Sequence, residues 1–160
     1  MLGYHRTIQK GIDEFGTLHL RNEVSSFSKG GEWLQIIHRT KQLQPIKFKP
    51  DRVFTLRNRS KVVFQVLGSQ AGKPREIEAD IFRAFLCLGI SKLVFIVPTS
   101  TDYDNVNRVS DIIRDVLEAL GARDDLDLSM TILIPKKVKS PSAVKDYLNE
   151  STTAREIFRE

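Results

Sequence analysis

The chain has 160 residues, of which 41% are hydrophobic and 28% are charged. This length and composition are typical of one soluble domain with its own apolar core, and they exclude a disordered or fibrous protein. No apolar run approaches the ~20 residues of a transmembrane helix, and residues 1–10 lack the apolar stretch of a signal peptide. Cys87 is the only cysteine, which excludes an intrachain disulfide and a zinc finger. We therefore expect a single domain over residues 1–160, cytoplasmic and without a membrane partner.

Positive charge is concentrated in the first half of the chain. Residues 1–75 carry 14 basic and 5 acidic side chains, a net charge of +9, whereas residues 76–160 carry 11 basic and 15 acidic ones, a net charge of −4. The whole chain has a net charge of +5 and a pI near 9.4. This asymmetry favours a polyanionic partner, most simply a nucleic acid. A solvated basic surface is the alternative interpretation.

The first half of the chain predicts a helix followed by a β-hairpin. A helix over residues 4–15 places its apolar residues on one face, and Gly16 is expected to end it. The patterns between the helix and the hairpin are ambiguous. Residues 17–24 fit a strand or a continuation of the helix, residues 25–31 fit a loop, and residues 32–39 fit a short helix or a strand. Extended chain then runs from 46 to 56 around Pro50, a polar turn covers 57–60, and an apolar strand covers 62–67.

The second half alternates helices and strands. The predicted elements are a helix over 74–88, a strand over 92–98, a helix over 104–120, a strand over 128–134, and two short helices starting at Ser140 and at Thr153. A strand, a crossover helix and a strand in this spacing form a right-handed parallel unit. We therefore expect an α/β fold with a mixed central sheet flanked by helices. A Rossmann domain fits less well, because its first strand would lie near the start of the chain.

This element order resembles the PD-(D/E)XK nuclease superfamily, which has the restriction-endonuclease-like fold. The resemblance rests on Pro50-Asp51 at one strand and on Gln65, 14 residues later, in the next. It implies a DNA endonuclease dependent on Mg²⁺ or Mn²⁺, in which Asp51 and Gln65 hold the metal and Glu23, or else Glu14, is the helix acid. A homodimer is also plausible by this resemblance.

The second motif departs from the family pattern. It reads Gln65-Val66-Leu67, so an amide replaces the acid and leucine replaces the lysine two residues later. Lys73 is the candidate for the missing amine, and Ser69 or Gln70 could also face the site.

The chemistry is consistent with these residues independently of the family. Phosphodiester cleavage uses a hard divalent cation held by oxygen ligands, which offsets charge and generates a nucleophile. Asp51 suits the first ligand, and the Gln65 amide oxygen is a weaker ligand than a carboxylate.

Each of these residues also has a structural interpretation. Asp51 after a proline is a common turn residue, and Gln65 in an apolar strand is a buried amide that needs a partner. Glu23 is consistent with a surface acid, and Lys73 with a solvated cation.

Other candidate motifs are weaker. Residues 68–73 have three residues between their glycines and Pro74 after the lysine, which argues against a nucleotide-binding P-loop. The three histidines lack metal-ligand spacing, and Cys87 and Trp33 are expected in or near the core. The histidines are His5, His19 and His38.

Basic residues cluster around the predicted hairpin. They could follow the phosphates of DNA, although a charged sheet edge that blocks aggregation is the alternative. The candidate nucleic-acid-binding residues are Lys47, Lys49, Arg52, Arg57, Arg59 and Lys61, with Lys41 nearby.

Three functional hypotheses follow from the sequence. The first is a metal-dependent DNA endonuclease. The second is a non-catalytic module of the same fold that binds DNA or a protein, which the Gln65 and Leu67 replacements favour. The third is an α/β interaction or scaffold protein with no nucleic-acid role.

Overall fold

The structure, a computed structural model, describes residues 4–28, 34–35, 47–67, 74–87, 89–97, 107, 110–115, 118, 129–135 and 139–159. Its helices are α1 (Tyr4–His19), α2 (Pro74–Leu86), α3 (residues 110–115), α4 (Pro141–Glu150) and α5 (Thr152–Ile157), and residues 107 and 118 are also helical. Its strands are β1 (Val24–Ser28), β2 (Leu34–Gln35), β3 (Lys47–Phe48), β4 (Arg52–Leu56), β5 (Lys61–Val66), β6 (Ile90–Ile96) and β7 (Ser129–Leu133).

Five of the strands form one mixed sheet in the order β1-β4-β5-β6-β7. The pairs β1–β4 and β4–β5 are antiparallel, whereas β5–β6 and β6–β7 are parallel. The predicted hairpin and the predicted parallel unit around α2 are therefore confirmed, as is the mixed α/β class. Strands β2 and β3 form a separate two-stranded ribbon.

Apolar clusters cover both faces of the sheet. Successive strand residues point to opposite faces, so the apolar run of β5 supplies Val62, Phe64 and Val66 to one face and Val63 to the other. The first cluster packs α1, α4 and α5 on the sheet, and the second packs α2 and α3. The described helices include none long and apolar enough to span a membrane.

Two sequence predictions near α1 are wrong. The helix continues past Gly16 to His19, because this glycine serves close packing rather than helix termination: a Cβ there would lie 2.8 Å from the Phe54 ring. The serine-rich segment predicted as a loop contains β1, since Ser25 and Ser26 point to solvent at the sheet edge while Val24 is buried.

The start of the last helix also differs from the prediction. Its N-cap is Ser151, whose hydroxyl accepts from the Ala154 N–H, and not the predicted Thr153. Because α4 ends at Glu150, one serine both follows that helix and caps the next.

One edge of the sheet gathers several chain ends. Strand β4 begins there, and β5, β6 and β7 end there, because β4 runs antiparallel to the three parallel strands. The residue before β4 is Asp51, and we call this the Asp51 edge. Helix α1 also begins there, since His5 and Gln9 contact Asp51.

Candidate functional site

The carboxylate of Asp51 is held by three hydrogen bonds. Its Oδ1 accepts from Gln9 Nε2 at 2.7 Å and pairs with His5 Nε2 at 2.9 Å. Its Oδ2 accepts from the backbone N–H of Val66 at 2.8 Å. The side chain is 17% exposed, so its orientation is fixed while one side remains accessible.

Gln65 joins Asp51 to a second carboxylate. Its Oε1 accepts from the Asp51 backbone N–H at 3.0 Å, and its side chain is close enough to Asp80 of α2 to lower the pKa of that carboxyl. Gln65 is only 9% exposed, and these partners satisfy a buried amide that would otherwise be costly. The predicted proximity of Asp51 and Gln65 is therefore present, and it includes an acid that the sequence analysis missed.

Asp80 is surrounded by groups that raise the pKa of its carboxyl and by groups that lower it. Burial raises its pKa from 3.8 to about 6, and repulsion from Asp51 and Glu76 acts in the same direction. The Arg83 guanidinium, at 3.4 Å, and the Gln65 side chain oppose that rise. The Asp51 and Asp80 carboxyls therefore repel each other, and Gln65 contacts the backbone of the first and lowers the pKa of the second. Perturbed pKa values of this kind are common at functional sites.

A sequence signal for Asp80 was present. It lies three residues after Ile77 and four before Ala84, within the apolar stripe of α2. Those neighbours are fully or almost fully buried. An acid on the buried stripe of a helix needs partners, and here they are Gln65 and Arg83.

Arg52 is a buried side chain that connects the Asp51 backbone to Asp13 of α1. It is 7% exposed, and its guanidinium makes two hydrogen bonds to the Asp13 carboxylate, at 2.6 and 3.0 Å. It also donates to the backbone carbonyl of Asp51. This partly buried ion pair occupies the guanidinium of Arg52, which the sequence predicts to contact DNA.

The structure does not bring the predicted helix acids to Asp51. Glu23 precedes β1, whose Val24 pairs with Leu56 at the far end of β4, and its carboxylate pairs with Arg155 at 3.4 Å. Glu14 is exposed on α1. The α1 side chains that do reach Asp51 are His5 and Gln9.

The position of the family lysine is apolar. Leu67 follows β5 and packs against the apolar cluster beneath α2. The substitute amine, Lys73, lies outside the described residues, as do Ser69 and Gln70. Trp33 and His38 also lie outside them.

The predicted nucleic-acid-binding residues do not share one surface. Arg57, Arg59 and Lys61 lie at the hairpin turn, at the end of the sheet opposite the Asp51 edge. The Arg57 guanidinium donates to two backbone carbonyls, and Lys61 Nζ donates to Thr55 Oγ1 at 3.1 Å. Lys49 is exposed near Asp51, whereas the Lys47 side chain and Lys41 lie outside the described residues.

The oxygens at the Asp51 edge can be compared with the ligands that magnesium prefers. Magnesium keeps several waters and is commonly held by one or two carboxylates plus phosphate oxygens. Asp51 uses three of about four lone-pair sites, which leaves one on Oδ2. Among the described residues no group of three or more His, Cys, Asp or Glu side chains is placed to hold a metal.

Comparisons with known proteins give no match. No protein-family model matches the chain, and neither a curated protein nor a solved structure matches it.

Proposed function

We propose that the chain is a DNA endonuclease of the PD-(D/E)XK type that uses Mg²⁺ or Mn²⁺ at the Asp51 edge. The observation that carries the proposal is the position of Gln65, whose amide oxygen accepts from the Asp51 backbone N–H and whose side chain also acts on the Asp80 carboxyl. Asp51 and Asp80 are the carboxylates that we expect to hold the cation. Asp80 from α2 thus replaces the acid that Gln65 lacks.

The order of elements also supports the proposal. Apart from the β2–β3 ribbon and α3, a helix, three antiparallel strands, a crossover helix and a parallel strand precede β7, and the Pro50-Asp51 pair opens the middle antiparallel strand. This agrees with the order that the family resemblance implies. We therefore assign the restriction-endonuclease-like fold as part of the proposal.

Each residue of the proposed site has a physical role. A divalent cation supplies charge neutralisation at the phosphate and lowers the pKa of a water nucleophile. His5, Gln9 and the Val66 N–H fix the Asp51 oxygens in one orientation. Gln65 accepts from the Asp51 backbone N–H and lowers the pKa of Asp80. Lys73 stays the predicted source of a positive charge beside the attacking water.

Cleavage of labelled single-stranded, duplex and branched DNA tests the proposal, with Mg²⁺, Mn²⁺ or EDTA present. We expect metal-dependent cleavage by the wild type and a loss of about 100-fold or more in Asp51→Asn, because even residues that only support metal ligands contribute 10- to 100-fold. Asp111→Asn is the matched control, since Asp111 is 58% exposed on α3. Equal cleavage by Asp51→Asn and the wild type would contradict the proposal.

A non-catalytic DNA-binding module of the same fold is the second candidate. Two observations favour it: Leu67 is packed into the apolar cluster, and the Asp51 carboxylate already accepts three hydrogen bonds. This candidate predicts DNA binding that is equal with metal and with EDTA, and no cleavage in any of the reactions.

The proposed partners are DNA and a second copy of the chain, and the proposed location is the cytoplasm. Light scattering after size-exclusion chromatography tests the dimer, with a mass of twice 18.3 kDa expected. A mass of 18.3 kDa at every concentration would contradict it.

A further inference from the structure

Many described cations are occupied by structural partners. Arg52 holds Asp13, Arg155 holds Glu23, and Arg83 holds Asp80. Lys92 Nζ donates to the backbone carbonyls of Ile157 and Arg159, and Arg57 donates to those of Arg21 and Asn22. These side chains stabilise the fold, so their charges are poorly available to a polyanion.

A smaller set of cations is exposed and has no ion pair or side-chain hydrogen bond to another described residue. Without an acid to displace, such side chains can contact a phosphate at lower cost. They are Arg6, Lys10, Arg59, Arg75, Lys139 and Arg159.

Three of these cations lie at the Asp51 edge, and a fourth, Lys139, lies where α4 begins beside α1. Arg6 and Lys10 each follow a residue of α1 that contacts Asp51. Arg75 is in the first turn of α2, five residues before Asp80. Lys139 precedes Ser140, the N-cap of α4, whose first turn packs on Gly11 of α1.

The other two lie at the opposite end of the sheet. Arg59 is in the turn between β4 and β5. Arg159 follows α5, where its backbone carbonyl accepts from Lys92 near the start of β6. These residues have the same charge and exposure class but a different location, so they provide a matched control.

We propose that Arg6, Lys10, Arg75 and Lys139 form the surface that holds the phosphate backbone of duplex DNA beside Asp51. This inference rests on the proposed function and identifies the face that the substrate occupies. In this proposal the four residues, and not the hairpin residues, are the main contacts with DNA. Glu76 is an exposed acid next to Arg75 in the first turn of α2, and its negative charge repels that of Asp80.

The chemistry of the edge favours duplex over single-stranded DNA. Single strands are bound by combining cations with exposed aromatic rings on which bases stack. Among the described residues, the exposed phenylalanine Phe82 lies about two turns along α2 from Arg75, and the exposed imidazole of His5 pairs with Asp51. Cations spread over three helix starts instead match the two phosphate backbones of a duplex.

Two double variants with equal loss of charge test the surface. Arg6→Gln/Lys10→Gln removes two cations at the Asp51 edge, and Arg59→Gln/Arg159→Gln removes two at the opposite end. Binding to a labelled duplex is measured in EDTA from about 50 to 200 mM salt, a range over which phosphate contacts weaken strongly. Circular dichroism verifies that both variants fold.

We expect the first variant to lose at least about 10-fold in affinity at low salt. Its slope of log K against log salt should become shallower by about 1.8, since each phosphate contact contributes about 0.9. The control should remain within about twofold of the wild type. Equal losses in both variants, a loss confined to the control, or no duplex binding by the wild type would each overturn the surface. Tighter binding to single-stranded than to duplex DNA would overturn the choice of substrate.

The readout in EDTA separates this inference from the proposed endonuclease. Edge-dependent binding without cleavage in Mg²⁺ or Mn²⁺ would support the surface and contradict the nuclease. Metal-dependent cleavage with equal binding by the two double variants would support the nuclease and overturn the surface.

Discussion

At the level of single residues, the Asp80 carboxyl links the candidate site to folding stability. Its ordinary pKa of 3.8 applies to the unfolded chain, whereas burial raises the folded value to about 6. The folded chain therefore binds more protons between these two values. Wyman linkage then requires the free energy of unfolding to fall as the pH rises through this window.

Asp80→Asn should remove that pH dependence, because an amide does not ionise. Relative to the wild type, we expect the variant to gain up to about 3 kcal/mol of stability between pH 4 and pH 7, at 1.36 kcal/mol per pKa unit. Urea denaturation in EDTA across this range measures the effect, with Asp111→Asn as the control. If the free energies of unfolding of Asp80→Asn and the wild type change in parallel with pH, the raised pKa of Asp80 would be contradicted.

Arg52 and Asp13 form the second residue-level feature that can be tested. Breaking a buried ion pair by removing one partner leaves an uncompensated charge. We expect Arg52→Ala to lower the free energy of unfolding by about 3 kcal/mol. Apolar replacement of both partners, as in Arg52→Met/Asp13→Leu, should recover at least half of the loss in urea denaturation. A double variant as unstable as Arg52→Ala would show that the loss comes from something other than the unpaired charge.

At the level of elements, the close contact between α1 and α4 depends on one glycine. A Cβ at Gly11 would lie 2.2 Å from Val144 Cβ and 2.8 Å from the Pro141 carbonyl oxygen. Such distances require the two helices to separate. The separation would also disturb the start of α1, where His5 and Gln9 contact Asp51.

Gly11→Ala should therefore be destabilising, even though alanine is the better helix former. Propensity favours alanine by about 1 kcal/mol, whereas overpacking typically costs about 1–3 kcal/mol. We expect a lower melting temperature by calorimetry. Thr17→Ala, at an exposed position of α1, is the control and should leave it unchanged or raise it. A higher melting temperature in Gly11→Ala would contradict the helix packing.

The elements that the sequence predicted well have strong local signals. The apolar run of β5, the stripe of α2 and the proline at its start need no information from distant residues. Strand β1 and Gly16 were predicted wrongly because their states depend on tertiary partners. β1 exists because it pairs with β4, and Gly16 stays helical because the Phe54 ring packs against it.

At the level of the whole molecule, the sheet topology determines what the site contains. Asp51 and Gln65 meet because β4 and β5 are antiparallel neighbours, which the hairpin pattern predicts. Asp80 joins them only through the packing of α2 on the sheet, which sequence spacing alone does not reveal. Glu23 lies roughly one strand length away, about 15 Å at the usual rise per residue. The presence of acidic residues in the sequence therefore could not show that Asp80, and not Glu23, lies near Asp51.

Calorimetric titration with Mn²⁺ at about pH 7.5 tests whether Asp51 and Asp80 form the proposed divalent-cation centre. At this pH, above its pKa of about 6, the Asp80 carboxyl is mostly ionised. We expect one Mn²⁺ per chain in the wild type and in Asp111→Asn, and affinity at least about 10-fold weaker in Asp80→Asn, which lacks a carboxylate ligand. Equal Mn²⁺ affinity in Asp80→Asn and the wild type would contradict the account.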